Sequence, residues 1–271
     1  MKMSANPKIS VIMSVFNGMP YLKEAVKSIL CQSYKNFEFI IVDDASSDMS
    51  WRYLKSIKDD RVILLKNKKN LGLSLSLNKA IKQSKGAYIA RMDADDISYS
   101  QRLDIQLNFL KQHKNIDLCG SWVTLINNSG NIIGVNKKNP LDNERIKKKL
   151  GIYPTIIHPT FFAKRKFFIN SGGYKDEFDG AEEYELLCRV KNKFSYANIP
   201  EKTLYWRLRD NRRSIQIMDK MHDLDMKIKI NNLKKDGPNF YNIYGYLKII
   251  TLHYLIPLAI KKKIARFLKT A

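Results

Sequence analysis

The amino-acid sequence predicts an α/β fold, a mainly parallel central sheet flanked by helices, and three observations carry that prediction. Apolar runs of strand length alternate with segments of helical period through the first hundred residues, the pattern that right-handed crossovers between parallel strands produce. The runs are continuous in apolar character, as strands covered on both faces are. Two of them end on acidic clusters, Asp43-Asp44 and Asp93-Ala94-Asp95-Asp96, at the strand ends where such sheets bind ligands.

In chain order, residues 8–16 read as a strand, Asn17-Gly18 as a turn, and Tyr21–Gln32 as a helix with Leu22, Ala25, Val26, Ile29 and Leu30 on one face. Phe37–Val42 is the next strand, followed by a short helical piece near Trp51–Ile57, a strand at Val62–Leu65, a helix at Leu73–Ser84 and a strand at Ala87–Met92. Leu103, Leu107, Phe109 and Leu110 make Gln101–Lys114 an amphipathic helix, and Leu118–Ile126 a strand. A polar loop is expected over Asn127–Asn143, then a strand near Thr160–Ala163, a helix over Glu182–Lys193, and two strands near Ser195–Ile199 and Leu204–Leu208.

The chain has 271 residues, is 44% apolar and carries a formal charge of +22. That is one large domain or two small ones with a real core, which excludes a disordered basic tail protein. Three cysteines with no close pair, Cys31, Cys119 and Cys188, form neither a disulfide framework nor a zinc knuckle. With no signal-peptide pattern at the start, a cytoplasmic location is expected. The charge invites nucleic acid, anionic lipid or phosphorylated substrates, and composition does not choose among them.

The acidic clusters are more selective. Asp93 and Asp95 in a loop allow two carboxylates to converge on Mg²⁺ or Mn²⁺ whose other ligands are water and substrate phosphate; the competing reading is a cap on the helix that follows. Asp43-Asp44 is either a cap or a hydrogen-bond acceptor for a base or ribose. No G-x-G-x-x-G and no Walker A motif is present, which disfavours dinucleotide enzymes and P-loop NTPases.

Seven segments, co-linear and correctly spaced, resemble glycosyltransferase family 2: ISVIMSVFN at Ile9–Asn17, YLKEAVKSILCQSY at Tyr21–Tyr34, FEFIIVDDASSD at Phe37–Asp48, NLGLSLSLN at Asn70–Asn78, GAYIARMDADD at Gly86–Asp96, Arg102–Gln106, and AEEYELLCR at Ala181–Arg189. The resemblance runs over residues 8–214. It implies the GT-A fold and inverting transfer of a sugar from a nucleotide donor, with a nucleotide-binding half (1–100) and an acceptor-binding half (101–214) of the same domain; beyond the resemblance, residues 215–271 read as a helical, basic-apolar C-terminal tail. Residue by residue it implies Ser14 and Phe16 in the base pocket, Asp44 on a pyrimidine, Asp93 and Asp95 as the metal site with Asp95 the direct ligand, and Glu183 or Glu182 as the general base. Where the family often has a histidine on metal or diphosphate this chain has Arg209, a residue suited to gripping phosphate oxygens. His158 matches a position beside the acceptor cleft. The implied partners are a UDP-sugar and a saccharide acceptor, lipid-linked by resemblance to members that build bacterial surface polysaccharide.

After Asp236 the chain has no acidic residue, and Lys248, Lys261–Lys263, Arg266 and Lys269 alternate with its most apolar stretch. The longest uncharged run, Ile249–Ile260, is 12 residues, short of the roughly 20 that a spanning helix needs. An interfacial helix on anionic lipid, after Pro257, is the favoured reading over a helix packed on the domain, placing the protein on the cytoplasmic face of the membrane. Two rivals remain at this level. A nucleotidyltransferase would need a glycine-rich basic loop after the first strand, where Ser14–Gly18 stands; a nucleic-acid-binding module would have no need of acidic clusters at strand ends, and no nucleic acid is expected.

Overall fold

A computed structural model describes residues 8–209 and 217–251. The first hundred residues build a four-stranded parallel unit from β1 (Ile9–Val15), α1 (Leu22–Leu30), β2 (Phe37–Asp43), α2 (Ser50–Lys55), β3 (Val62–Lys66), α3 (Leu73–Gln83) and β4 (Tyr88–Met92). A two-residue strand β5 (Ile97–Ser98), helix α4 (Arg102–Gln112) and strands β6 (Leu118–Ile126) and β7 (Ile132–Asn136) follow. Then come α5 (Asn143–Lys149), a 3₁₀ turn at His158–Thr160, β8 (Phe162–Lys164), α6 (Arg165–Ser171), α7 (Glu182–Val190) and β9 (Tyr196–Arg207). Helices α8 (Met218–Asp236) and α9 (Phe240–Ile250) close the described chain.

One sheet runs through all of this in the order β3-β2-β1-β4-β8-β6-β9-β5, with β7 on β6. It is parallel through β3-β2-β1-β4 and again between β6 and β9, but β8 is antiparallel to both its neighbours, as are β5 to β9 and β7 to β6. The expectation of a mainly parallel sheet therefore holds for the first four strands and for the β6–β9 pair. Parallel neighbours need a crossover of a dozen residues or more, and the short segments of the second half pair antiparallel instead.

Side chains alternate between two apolar layers. Ile12, Ile40 and Val42 face the layer under α3, α6 and α7, while Val11, Met13, Phe39 and Ile41 face that under α1, α2 and α4. Both faces are buried, which is why apolar residues fill both faces of these strands, with buried Ser10, Glu38 and Arg91 among the exceptions.

Several elements differ from expectation. The polar loop over Asn127–Asn143 contains β7, an exposed edge strand whose turn is closed by the Asn127 carboxamide accepting from the Ser129 and Asn131 amides. The two strands expected after residue 195 are one, β9, interrupted by a bulge where Ser121 pairs Ile199 and Trp122 pairs Lys202. Helices α5 and α6, seven residues each, are too short to show a helical period. The interfacial helix expected after Pro257 and the arginines Arg212 and Arg213 lie outside the described residues.

Candidate active site

The two acidic clusters are built by different elements. The first, Asp93-Ala94-Asp95-Asp96, follows β4. Arg91, the fourth residue of that strand and almost fully buried, turns its guanidinium onto Asp93, Nη1 to Oδ2 and Nη2 to Oδ1 at 2.5 Å each. This fork fixes Asp93 in orientation. Asp95 pairs through Oδ2 with Arg209 Nη2 at 2.6 Å. Asp96 accepts the Arg207 amide on Oδ1, while its Oδ2 is buried with no hydrogen-bond partner among the described residues. Burial, then the neighbouring Asp95 and Asp93 charges, push the Asp96 carboxyl well above the usual carboxylate range. These three aspartates offer carboxylate oxygens all within 4.8 Å of one another. An oxygen-only donor set with an orphaned buried oxygen suits a hard divalent cation.

The second cluster sits where α7 begins. Glu182 is buried; its Oε2 accepts the Gly180 N–H at 2.7 Å and its Oε1 lies 3.5 Å from His158 Nδ1. His158 Nε2 meets the Tyr174 hydroxyl at 2.9 Å. Burial, then the charge of Arg91, push the imidazole down to about 4, so it is neutral at pH 7. With Nδ1–H toward the carboxylate, Nε2 accepts from Tyr174, a tautomer inferred from these partners. Burial alone would raise Glu182, but the contact with His158 and the Gly180 amide hold it low, at about 2. Glu183, one residue on and partly open to solvent, behaves oppositely: burial, then the Glu182 charge, push it up to about 8. Two adjacent carboxyls are thus separated into a fixed anion and a proton carrier.

Arg91 connects the clusters. Its cation acts on Asp93, on Glu182 and Tyr174, and on His158. It is held from behind by Arg102, fully buried in α4, which donates Nη2 to the Arg91 carbonyl and Nε to Gln106 Oε1, while Gln106 donates to the Thr160 carbonyl of the His158 turn. The Arg102–Gln106 segment therefore ties the strand bearing one cluster to the turn bearing part of the other.

The nucleotide-side candidates spread along the carboxyl ends of β1 and β2. Ser14 is half-buried in β1 and Phe16, beyond it, is 52% exposed. Asp44, expected on a pyrimidine, stands just beyond the end of β2. It is 2% exposed, and its oxygens accept from Asn67 Nδ2, Leu71 N and Gly72 N at 2.7–2.9 Å. It holds the β3–α3 loop, because a carboxylate buried at a strand end needs donors close by, here two backbone amides and the Asn67 carboxamide. That loop in turn meets the second cluster: Gly72, at φ +90°, lies against Asp179, which accepts the Ser74 amide three residues before Glu182. A Cβ at Gly72 would fall 3.0 Å from the Asp179 carboxylate, so glycine is required twice over, for the left-handed backbone and for the space. Beside the loop, Ala45, Ser46, Lys66, Asn67 and Lys68 line an open hollow of about 440 Å³.

The structure thus brings Asp93, Asp95 and Arg209 together, and His158, Glu182 and Glu183 together. His158 is buried behind the glutamates and bonded to Tyr174, a supporting position more than an open acceptor subsite. Sequence reasoning missed Arg91, Tyr174 and Arg207. Arg91 carried a readable signal, a charge inside an otherwise apolar strand two residues before an aspartate.

This mixed sheet, with an acidic cluster after a central strand and a second at a helix start, defines a glycosyltransferase of the GT-A fold. The chain belongs to glycosyl transferase family 2, whose model matches residues 10–172. It is similar to an uncharacterised glycosyltransferase of Methanocaldococcus jannaschii, 32% identical over 92% of this chain and 89% of the relative. It also resembles the O-antigen biosynthesis glycosyltransferase WbnJ of Escherichia coli, 33% identical over 74% of this chain and 79% of WbnJ. Among solved structures, S. aureus TarS in complex with UDP-GlcNAc superposes with a TM-score of 0.70 over 92% of this chain and 73% of that one, at 18% identity. The mannosyltransferase PcManGT of Pyrobaculum calidifontis, in complex with GDP-Man and Mn²⁺, does so at 0.65 over 97% and 75%, at 16% identity.

Proposed function

We propose that this glycosyltransferase moves a sugar, with inversion, from a UDP-sugar to a hydroxyl of a saccharide acceptor, lipid-linked, in bacterial surface polysaccharide synthesis (O-antigen, capsule or lipooligosaccharide). The observation that carries the reading is the pair of unlike carboxyls at the start of α7, tied through Arg91 to the oxygen cluster after β4. The glycosyltransferase relatives and the UDP-GlcNAc complex of a neighbour support the donor class.

Glu183 is the base. In a single displacement it takes the acceptor hydroxyl's proton as that oxygen bonds to the anomeric carbon, and the bond from carbon to the diphosphate oxygen breaks with its electron pair going to the nucleoside diphosphate. A base with a raised pKa holds that proton well. Glu182, ionised and fixed by Gly180 and His158, keeps Glu183 basic and stays in place. On the opposite side Asp95, with Asp93 oriented by Arg91, would hold Mn²⁺ or Mg²⁺. When bound, that cation supplies positive charge to the departing diphosphate. Ser14 and Phe16 offer a hydroxyl and an exposed ring to the base, and Arg209 offers a fork to the phosphates.

Screening UDP-, GDP- and dTDP-sugars for Mn²⁺-dependent binding and hydrolysis tests the reading. UDP-sugars are expected to respond, and Asp95→Ala to abolish the response with an unchanged circular dichroism spectrum. Donor binding indifferent to EDTA would overturn the metal assignment. We further propose that the chain docks peripherally on the cytoplasmic face of the membrane through its acid-free C-terminal segment. The exposed apolar stripe Phe240, Ile243, Tyr244 and Leu247 of α9 supports this, lying opposite the inward-facing Asn242, Gly245 and Ile249.

A further inference from the structure

Two arginines leave β9 side by side, and they are committed very differently. Arg207 is 3% exposed and uses its whole fork: Nε to the Asp95 carbonyl, Nη1 to the Asn127 and Asn128 carbonyls, Nη2 to Glu24 Oε2 at 2.6 Å, with its guanidinium 4.4 Å over the Tyr21 ring. It is a structural clamp. Among the described residues Arg209 has one ion pair, Nη2 to Asp95 Oδ2 at 2.6 Å, and stands 5.5 Å from the same Tyr21 ring. Its Nε is buried with no hydrogen-bond partner among the described residues. Both partners of that pair retain about a quarter of their side-chain exposure.

The oxygen Arg209 holds belongs to the carboxylate assigned as the direct metal ligand. A guanidinium has five donors and no lone pair to give a cation, so it competes with a divalent ion for the charge of the Asp95 carboxylate, and like charges so close repel. The unused Nε marks a donor with capacity to spare, and planar forks of this kind bind phosphate bidentately.

Resting on the glycosyltransferase reading above, we infer that Arg209 is an exchangeable counter-ion of Asp95: it neutralises the carboxylate until a divalent cation displaces it, and the released guanidinium then closes on the nucleoside diphosphate. Arg209 and the cation compete in the absence of nucleotide and cooperate in its presence. By linkage, whatever the ion pair takes from cation affinity, cation binding takes from the ion pair.

The test measures Mn²⁺ binding to the full chain without nucleotide, by the free-ion electron paramagnetic resonance signal, and UDP binding to the Mn²⁺-loaded protein by calorimetry. A part-exposed pair of this kind predicts that Arg209→Ala binds Mn²⁺ about fivefold more tightly than the wild type. The same variant is expected to bind UDP about tenfold more weakly in saturating Mn²⁺, the loss of one charge-assisted phosphate contact. Arg209→Lys keeps the charge but not the fork, so its Mn²⁺ affinity stays near wild type while its UDP affinity falls. Opposite signs in the two arms separate exchange from a merely structural role, which would weaken both. Mn²⁺ affinity unchanged or lowered in Arg209→Ala, with Asp95→Ala still abolishing Mn²⁺ binding, overturns the exchange and leaves the metal site standing. Absence of any Asp95-dependent Mn²⁺ binding overturns both.

Discussion

At the scale of single residues, Glu182 and Glu183 have one chemistry and opposite environments. Because burial and the Glu182 charge raise Glu183 to about 8 from 4.5, the proposed base is ionised only at the alkaline end. Activity should rise with pH and level off above about 8, and in Glu182→Gln the rise should shift to lower pH as the neighbouring charge is lost; a pH–rate profile reads both. Glu183→Gln should lose about 10²- to 10⁴-fold in turnover with donor affinity kept. The sign for stability is opposite. The native state holds the Glu183 proton more strongly than the unfolded chain does, so wild-type stability declines between about pH 4.5 and 8 on this account. Glu183→Gln is therefore expected to melt above the wild type by a margin that grows across that window and then stays constant. Arg91→Leu leaves the part-exposed Asp93 without its partner and should cost about 1–3 kcal/mol by urea unfolding. The carboxylates were legible because a chain so short of acids clusters them at element ends. Their partners were not. That Asp44 is spent on backbone amides, or that Tyr174 backs His158 from 16 residues away in sequence, depends on how loops meet, and residue spacing does not encode that.

Among the elements, the parallel unit could be read almost strand by strand, since doubly covered strands announce themselves by continuous apolar runs. What was missed was short or exposed. Strand β7 alternates little and faces solvent, with Ile132 66% exposed, so no periodicity marked it; α5 and α6 are two turns each. The β9 bulge at Pro200–Lys202 looks like a strand break in one dimension and proves continuous in three. The β3–α3 loop yields a prediction of its own. Asp44→Ala removes the acceptor of three hydrogen bonds and should destabilise by about 2–4 kcal/mol. By loosening Gly72 against Asp179 it should also disturb the approach to Glu182, seen as weaker donor binding than in a distant variant of equal stability. At α9, Gly245 passes so close to the Gly151 carbonyl that a Cβ would sit 1.9 Å from its oxygen. Gly245→Ala should part α9 from the loop after α5 and lower the melting temperature by several degrees, a cost of about 1–3 kcal/mol.

For the molecule as a whole, the charge of +22 separates into clamps such as Arg91, Arg102 and Arg207, which are buried and paired, and lysines left to solvent and to the C-terminal segment. No helix among the described residues is long and apolar enough to cross a membrane. The outward stripe of α9, followed by a basic sequence without acids, predicts co-sedimentation with vesicles containing phosphatidylglycerol, weakened by salt and absent with phosphatidylcholine alone. Phe240→Glu with Leu247→Glu should reduce that binding and leave transfer to a soluble acceptor intact. The Arg91 bridge has a further consequence, for how such an enzyme can diversify. In the proposed function, donor and acceptor machinery come from different stretches of chain, which invites recombination of one half with another relative's. Yet one guanidinium orients the aspartate of the first and biases the glutamates of the second, and Arg102 and Gln106 fasten both. A chimera joined near residue 100 would inherit a cation from one parent and its counter-charges from another. New specificities should therefore arise more readily by exchanging surface loops around this core than by swapping halves across it.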